Sequence, residues 1–335
     1  MGSFDCSAEI GGTSFEAQAQ ITSEAIVLRG ERSVTIPYVD LMDMRLLNYH
    51  LRLALRQGEA TISRLGYQTE DFFDALWKAY AARSRESLFV TVKPLIACEG
   101  DYAYEEPGVS RKSIAQLELR DDSLCILPHD VGARRVPLCF AEPPVRQGFA
   151  LDLRLDTGES YRVARLGTNT DPFFERLVSA QARTVAAWRA AHQELWARLE
   201  ARLGEAADCY QTLAGVGVPV ESGLFSLDDE AFWLCAVGRD RAALELVSNE
   251  KAATYLYRFS STPESFVRSL RHALEAVGRH RRLIFLSEDE LNAEPLFRMA
   301  ADRSSHVRFL RSCNVGRIIH TSAWHSRVQE FFGAA

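Results

Sequence analysis

The chain has 335 residues, a length that predicts about two or three domains. Hydrophobic residues make up 47% and charged residues 25%, values that exclude a disordered, collagen-like or coiled-coil chain over most of its length. The formal net charge is −6, but residues 251–335 hold 13 Lys and Arg against 8 Asp and Glu, whereas residues 1–250 hold 26 against 37. This asymmetry predicts either different partners for the two parts or an attraction between them.

Several features predict a cytoplasmic protein without a transmembrane segment. No apolar run approaches the ~20 residues that a membrane helix needs. The first residues lack the basic and apolar regions of a signal peptide. The seven cysteines form no Cys-x-x-Cys pair, a pattern that favours reduced thiols over a disulfide framework.

The first part of the chain predicts short antiparallel strands followed by one helix. Alternating runs occur at residues 15–21, 25–28, 34–38 and 41–47, and Leu51, Leu53 and Leu55 share one face of a further strand. A turn at residues 57–58 leads to a return strand at 61–65. Thr69 is predicted to cap a helix whose apolar stripe consists of Phe72, Phe73, Leu76, Trp77 and Tyr80.

The second part repeats the first. Residues 63–76 and 164–177 share seven of 14 positions at an offset of 101, and residues 51–59 and 151–159 share five of nine at an offset of 100. Two collinear matches indicate a duplicated unit. The second copy has predicted strands at residues 114–119, 124–127 and 135–140, and Thr170 as the predicted helix cap. We expect Phe73 and Phe174 to occupy equivalent core positions.

Each copy resembles a pleckstrin-homology-like (PH-like) domain, of the bacterial PH and GRAM type. The resemblance rests on the run at residues 36–44, the Leu-rich hairpin and the Phe- and Trp-bearing helix, and it covers roughly residues 10–83 and 96–190. Trp77 stands where many PH helices carry a tryptophan, whereas the second copy has Val178 there. The resemblance implies an antiparallel β-barrel closed by a C-terminal helix in each copy.

The resemblance also implies where a phosphoinositide would bind. PH domains that bind these lipids use basic residues in and beside the first hairpin loop. We assign that loop to residues 22–24 in the first copy and 120–123 in the second, and neither offers a phosphate cradle. We therefore expect no phosphoinositide binding by residues 1–200.

The C-terminal part is less regular. Strands are predicted at residues 231–237, 242–247 and 253–259, then a helix after Thr262, a helix over 288–302 and short strands at 307–310 and 317–320. A long helix over 172–202 carries Trp188, Trp196 and Leu199, which we expect to dock the third part on the second. The predicted fold class is α+β: tandem PH-like barrels at residues 1–85 and 86–200, plus an α/β unit at 201–335. That unit is either a diverged third PH-like unit or a different fold.

No motif predicts catalysis, a cofactor or a metal. The sequence has no Gly-x-Ser-x-Gly elbow, no phosphate-binding glycine loop and no His or Cys pair at metal-ligand spacing. The acidic pair Glu105 and Glu106 before a Pro-Gly dipeptide is interpreted as a solvated turn. We therefore predict no catalytic, cofactor-binding or metal-binding residues.

One basic cluster is a candidate anion-binding site. It consists of Arg268, Arg271, His272, Arg279, His280, Arg281 and Arg282. The first three share one helix face by their spacing, opposite Phe266 and Leu270. Such a cluster binds phosphates of lipid or nucleic acid, or it docks on the acidic parts of the same chain.

These observations predict a non-enzymatic scaffold or protein-interaction module with a protein or peptide partner. The first alternative is binding of an anionic membrane or nucleic acid through the basic cluster. The second is an unrecognised enzyme in residues 201–335. An enzyme is expected to have a deep pocket with converging ionisable groups, whereas an interaction module exposes an apolar surface or a sheet edge.

Overall fold

A computed structural model describes residues 3–90, 93–128, 130–203, 218–219, 230–237, 240–248, 252–277, 286–319 and 321–332. The fold class is α+β. The described residues form three antiparallel sheets and seven α-helices.

The first sheet has seven strands, and the order in space is β4-β3-β2-β1-β7-β6-β5. Helix α1 (Thr69–Ser87) follows the last strand, and its Phe72, Leu76 and Tyr80 are buried in the core of this sheet. The strands are β1 (Ser3–Ile10), β2 (Thr13–Ile21), β3 (Ala25–Gly30), β4 (Ser33–Pro37), β5 (Leu41–Leu47), β6 (His50–Leu55) and β7 (Glu59–Ser63).

The second sheet repeats this order as β11-β10-β9-β8-β14-β13-β12. Helix α2 (Thr170–Leu203) follows it, and Phe173 and Leu177 lie in the core of this sheet. The strands are β8 (Ile96–Glu106), β9 (Val109–Leu119), β10 (Ser123–Pro128), β11 (Arg134–Pro137), β12 (Val145–Gln147), β13 (Ala150–Arg154) and β14 (Ser160–Ala164).

The first strand of each sheet was not among the predicted strands. Strand β1 pairs with both β2 and β7, and β8 pairs with both β9 and β14. The first hairpin turn is therefore at residues 11–12 in the first sheet and 107–108 in the second. Our assignment of this loop to residues 22–24 and 120–123 was wrong, because residues 22–24 and 120–122 connect the second and third strands and residue 123 begins the third.

The repeated Arg-Leu-Gly motif forms the same turn before each helix. Arg64 and Arg165 have φ of 59° and 55°, and the following glycines, Gly66 and Gly167, both have φ of 60°. The leucine between them is buried in each copy. A left-handed backbone at these glycines explains why the second copy repeats the residue type.

The two threonines at the helix starts do not act as N-caps. Thr69 and Thr170 are already helical, and their hydroxyls donate to the carbonyl oxygens of Gly66 and Gly167 at 2.8 and 2.9 Å. The prediction of capping was therefore wrong, because a 3-10 turn precedes each helix and orients the hydroxyl backward along the chain.

The expected core pair is also displaced by one residue. Phe72 and Phe173 are fully buried, whereas Phe73 and Phe174 are only partly buried. Helical periodicity places the buried stripe at Phe72, Leu76 and Tyr80, spaced by four residues. The equivalence of the two copies holds, but the phenylalanine in the core is the first of each pair.

The third sheet has five described strands in the order β15-β16-β17-β18-β19. Trp188 of α2 is buried in its core beside Tyr257 and Phe266, so its docking role is confirmed, while the side chains of Trp196 and Leu199 lie outside the described residues. The strands are β15 (Val218–Pro219), β16 (Glu230–Val237), β17 (Arg241–Ser248), β18 (Ala252–Arg258) and β19 (Asn314–Ile319).

Five helices accompany the third sheet: α3 (Pro263–Val277), α4 (Glu288–Ala293), α5 (Pro295–Arg303), α6 (Ser305–Cys313) and α7 (Trp324–Phe332). The predicted strand at 307–310 is part of helix α6, because Val307 and Leu310 are spaced for one helical face. The predicted helix over 288–302 is two helices, since a proline at 295 disfavours a helical residue before it. A diverged third PH-like unit stays a prediction.

Candidate functional site

The described part of the basic cluster contacts the second sheet. Arg268 on α3 forms an ion pair with Asp156 and donates from Nη1 to the Cys139 carbonyl oxygen at 3.2 Å. Its guanidinium also lies 4.9 Å from the centre of the Phe140 ring. Three contacts with one neighbouring surface make Arg268 a docking residue.

His272 is buried one helical turn further on. Burial lowers its pKa to about 3, although the Asp122 carboxylate acts in the opposite direction. Its ring centre lies 6.3 Å from that of His306 on α6. Neither Arg268 nor His272 is presented to solvent as the predicted anion-binding face requires. Their burial favours the docking alternative, and anion binding by this face stays a prediction.

The other five members of the basic cluster do not decide between anion binding and docking. Arg271 is half-buried and has a partner of its own. Arg279, His280, Arg281 and Arg282 lie outside the described residues, so anion binding by them stays a prediction. The contacts of Arg268 favour the alternative that the basic C-terminal part docks on the acidic part of the same chain.

A cavity of about 500 Å³ lies where the first sheet, the second sheet and helices α5 and α6 meet. It combines apolar and charged walls. The apolar residues are Leu41, Met42, Pro107, Val109, Val131 and Phe309, and the charged residues are Glu106, Glu159, Asp302, Arg111, Arg134, Arg303 and Arg308.

Glu106 is the centre of a buried ion network in this cavity. Nε of Arg134 lies 2.9 and 3.1 Å from its two carboxylate oxygens, Nη2 of Arg308 lies 3.0 Å away, and the Tyr161 hydroxyl donates to it at 2.7 Å. Burial acts to raise the Glu106 pKa, but the two arginines outweigh it and hold that pKa below its ordinary value. The interpretation of Glu106 as part of a solvated turn was therefore wrong.

Arg308 joins α6 to the second sheet through two carboxylates. Its Nη2 atom lies 2.7 Å from Glu159 in addition to its contact with Glu106. The Ser305 hydroxyl oxygen lies 3.1 Å from that of Tyr161 in the same network. Glu106 and Glu159 are thus structural partners of arginines in this arrangement.

Arg303 differs from the other arginines of the cavity. Its side chain donates to the Met299 carbonyl oxygen at 3.2 Å and to the Tyr80 hydroxyl, and the residue is only 4% exposed. Among the residues that the structure describes, it forms no ion pair with a carboxylate, and its Nε has no hydrogen-bond partner. A positive charge without a counter-ion is thereby buried at the cavity wall.

Two equivalent hairpins expose an aromatic side chain at their tips. Tyr49 in the β5–β6 turn is 71% exposed, and Phe149 in the β12–β13 turn, 100 positions later, is 77% exposed. Tyr49 has φ of 61° and Asn48 has φ of 50°, while the second turn has Gly148 at 63°. We call Tyr49 and Phe149 the hairpin-tip aromatics.

Sequence reasoning missed both the cavity and the hairpin-tip aromatics. The charged cavity residues come from four separate segments of the chain, and no local sequence pattern predicts that these segments meet. The aromatics could have been found, because each lies in the turn before the matched Leu-rich strand at the offset of the repeat. No group of three metal-ligating side chains occurs in the described ranges.

No family model matches the chain, and no curated protein matches it. Within the described parts of the chain, no helix has both the length and the apolar character needed to cross a membrane.

Proposed function

We propose that the chain is a non-enzymatic scaffold of two PH-like units, which binds a protein or peptide partner through the hairpin-tip aromatics. The identical order of the two seven-stranded sheets supports two PH-like units in tandem. The burial of α1 and α2 residues in the respective sheet cores supports closure of each barrel by its helix. The proposed location is the cytoplasm.

The observation that carries the proposal is the exposure of Tyr49 and Phe149 at the same position of both units. Hot spots of protein interfaces are enriched in large aromatic side chains, and binding residues are often located on loops held by a rigid scaffold. Tyr49 also adopts a backbone conformation that is uncommon for a bulky residue, which costs on the order of 1–3 kcal/mol. Strain and exposure together favour a binding role over a folding role.

The chemistry of the cavity between the two seven-stranded sheets and helices α5 and α6, which we call the junction cavity, favours binding over catalysis. A catalytic acid or base needs a pKa close to the working pH. The Glu106 pKa is instead lowered, and Glu159 is paired with Arg308. Both carboxylates support the non-enzymatic proposal because ion pairs with arginines occupy them.

The proposal is tested by removing both aromatics from the full-length chain. The double variant Tyr49→Ala/Phe149→Ala and the control Tyr67→Ala are used to capture proteins from lysate of the native host at two salt concentrations. Tyr67 is a suitable control because it is 94% exposed, and because the equivalent position of the second copy, Thr168, is not aromatic. We expect a partner that the wild type and the control retain and the double variant loses.

Two results would contradict this proposal. Equal capture by the double variant and the control would show that the tips do not bind the partner. If the wild type and the control bind phosphatidylserine vesicles and the double variant does not, the hairpin-tip aromatics bind an anionic membrane instead.

A further inference from the structure

We propose that the junction cavity binds a small amphipathic carboxylate, whose charged group is received by Arg303. The apolar part of this ligand would lie against Val109, Val131 and Phe309 on the cavity wall. The site is separate from the hairpin-tip aromatics and does not depend on their function.

The charge balance of the cavity favours an anion. Four arginines and three carboxylates line it, so the lining carries one net positive charge. Glu106 and Glu159 neutralise Arg134 and Arg308. Arg111 lies 3.8 Å from Asp43, outside the lining.

The other carboxylate of the cavity does not serve Arg303. The Asp302 carboxylate forms an ion pair with Arg56 of the first sheet and lies 4.0 Å from Arg298. The positive charge that remains is therefore that of Arg303, and a single negative charge would balance it.

The donor geometry of Arg303 suits a carboxylate. A guanidinium presents its N–H groups in a fixed fork that matches two carboxylate oxygens. The Arg303 side chain uses Nη1 and Nη2 within the protein, whereas Nε has no partner. Burial of an unpaired charge is unfavourable, and a carboxylate in the cavity would offset the charge of the guanidinium.

The size and the apolar wall of the cavity point to an organic anion. Its volume of about 500 Å³ falls within the range of about 300–1,000 Å³ that is typical of ligand pockets. Six apolar residues line it beside the charged groups. An inorganic ion would leave this apolar wall without contacts.

Calorimetric titration of the full-length protein with sodium octanoate tests the proposal, with 1-octanol and octylammonium as probes that lack the negative charge. We expect saturable binding of octanoate alone. Arg303→Met should weaken this binding at least about 10-fold, equivalent to about 1.4 kcal/mol. Arg303→Lys should restore part of it, and the control Arg64→Met, an exposed arginine paired with Glu16, should leave it unchanged.

A second variant tests the cavity without altering its charge. Val109 lies on the wall and is 36% exposed, so Val109→Trp should fill the space and abolish octanoate binding while the thermal unfolding of the free protein stays close to wild type. Free Arg303→Met should be at least as stable as wild type, because it removes an unpaired buried charge. Absence of octanoate binding to wild type would overturn the proposal, as would equal binding to both variants or equal binding of 1-octanol.

Discussion

The indole Nε1 of Trp77 donates a hydrogen bond to the carbonyl oxygen of Pro128 at 2.9 Å. Trp77 lies on α1 behind the first sheet, and Pro128 ends strand β10 of the second. The tryptophan that marked the PH resemblance therefore joins the two units. In the second copy the equivalent Val178 is exposed, and the departure from the repeat therefore coincides with a different environment.

This hydrogen bond makes a prediction about stability. Trp77→Phe keeps an aromatic ring but leaves the buried Pro128 carbonyl oxygen without this donor, so the free energy of unfolding should fall by about 1–3 kcal/mol. Urea denaturation measures the change. Val178→Ala, at the equivalent exposed position, should stay within about 0.5 kcal/mol of wild type. Equal losses at the two positions would argue against a role of Trp77 between the units.

The fold could be predicted where side-chain periodicity was strong. Leu51, Leu53 and Leu55 alternate clearly, and the repeat placed their hairpin and the following helix correctly in both copies. Strand β1 was missed because its inward positions include the small residues Cys6 and Ala8, which give a weak alternating pattern. Its pairing with β7 depends on residues 50 or more positions away, which a local pattern does not contain.

The candidate sites were harder to predict for the same physical reason. The environment of Glu106 is created by Arg134 and Arg308, which reach it from another strand and from a helix about 200 residues later. A local sequence window shows only an acidic residue before a turn, which is normally solvated. Burial and partners are properties of the assembled fold.

The one-residue displacement of the core phenylalanines gives a second prediction. Phe173→Ala should lower the free energy of unfolding by about 3–5 kcal/mol, because the ring is fully buried. Phe174→Ala, at the partly buried neighbouring position, should cost clearly less. Phe72→Ala and Phe73→Ala should repeat this difference in the first copy, as measured by chemical denaturation. A larger loss at Phe174 would restore the original assignment of the core.

The third prediction concerns docking through Arg268. In a double-mutant cycle of Arg268→Met and Asp156→Asn, the two changes should be non-additive by about 0.5–3 kcal/mol in the free energy of unfolding. Additive losses would mean that the ion pair does not hold α3 on the second sheet.

If the basic C-terminal part docks on the acidic part of the chain, its arginines should not be needed for binding a polyanion. The quadruple change of Arg271, Arg279, Arg281 and Arg282 to Ala should leave retention on heparin unchanged. Its domains should separate, with increased protease cleavage near residues 203–225. A weaker retention with a flatter salt dependence would instead support phosphate binding by these residues.

The fourth prediction follows from the buried carboxylate of Glu106. Its pKa is lowered in the folded protein, so its contribution to stability is present above its ordinary pKa of 4.5 and is lost as the pH falls through the folded value. Glu106→Gln should cost about 3–5 kcal/mol at pH 7, because it leaves the buried Arg134 and the half-buried Arg308 short of a partner. The difference from wild type should shrink in acid. Unfolding free energies of both proteins across the acidic range provide the measurement, and a constant difference would exclude this linkage.

The last prediction concerns His272, whose surroundings disfavour the protonated form of the imidazole. Its pKa is lowered to about 3 by burial, and the nearby charges of Arg271, Arg135 and Arg268 act in the same direction. Between the ordinary histidine pKa of 6.5 and about 3, the unfolded chain binds a proton that the folded chain does not. The free energy of unfolding should therefore fall as the pH falls, by on the order of 2 kcal/mol at pH 5 for this residue.

The variant His272→Phe distinguishes this effect from that of the acidic groups. Phenylalanine does not titrate, so its stability should depend less on pH between 6.5 and 5 than that of the wild type. His306 packs against His272, and its pKa is lowered in the same direction, so His306→Phe should also reduce the slope. The control His50→Phe, at an exposed position in the first sheet, should keep the wild-type slope. If both buried variants keep that slope as well, the two histidines are protonated in the folded protein, and the packing of α3 and α6 accommodates their charge.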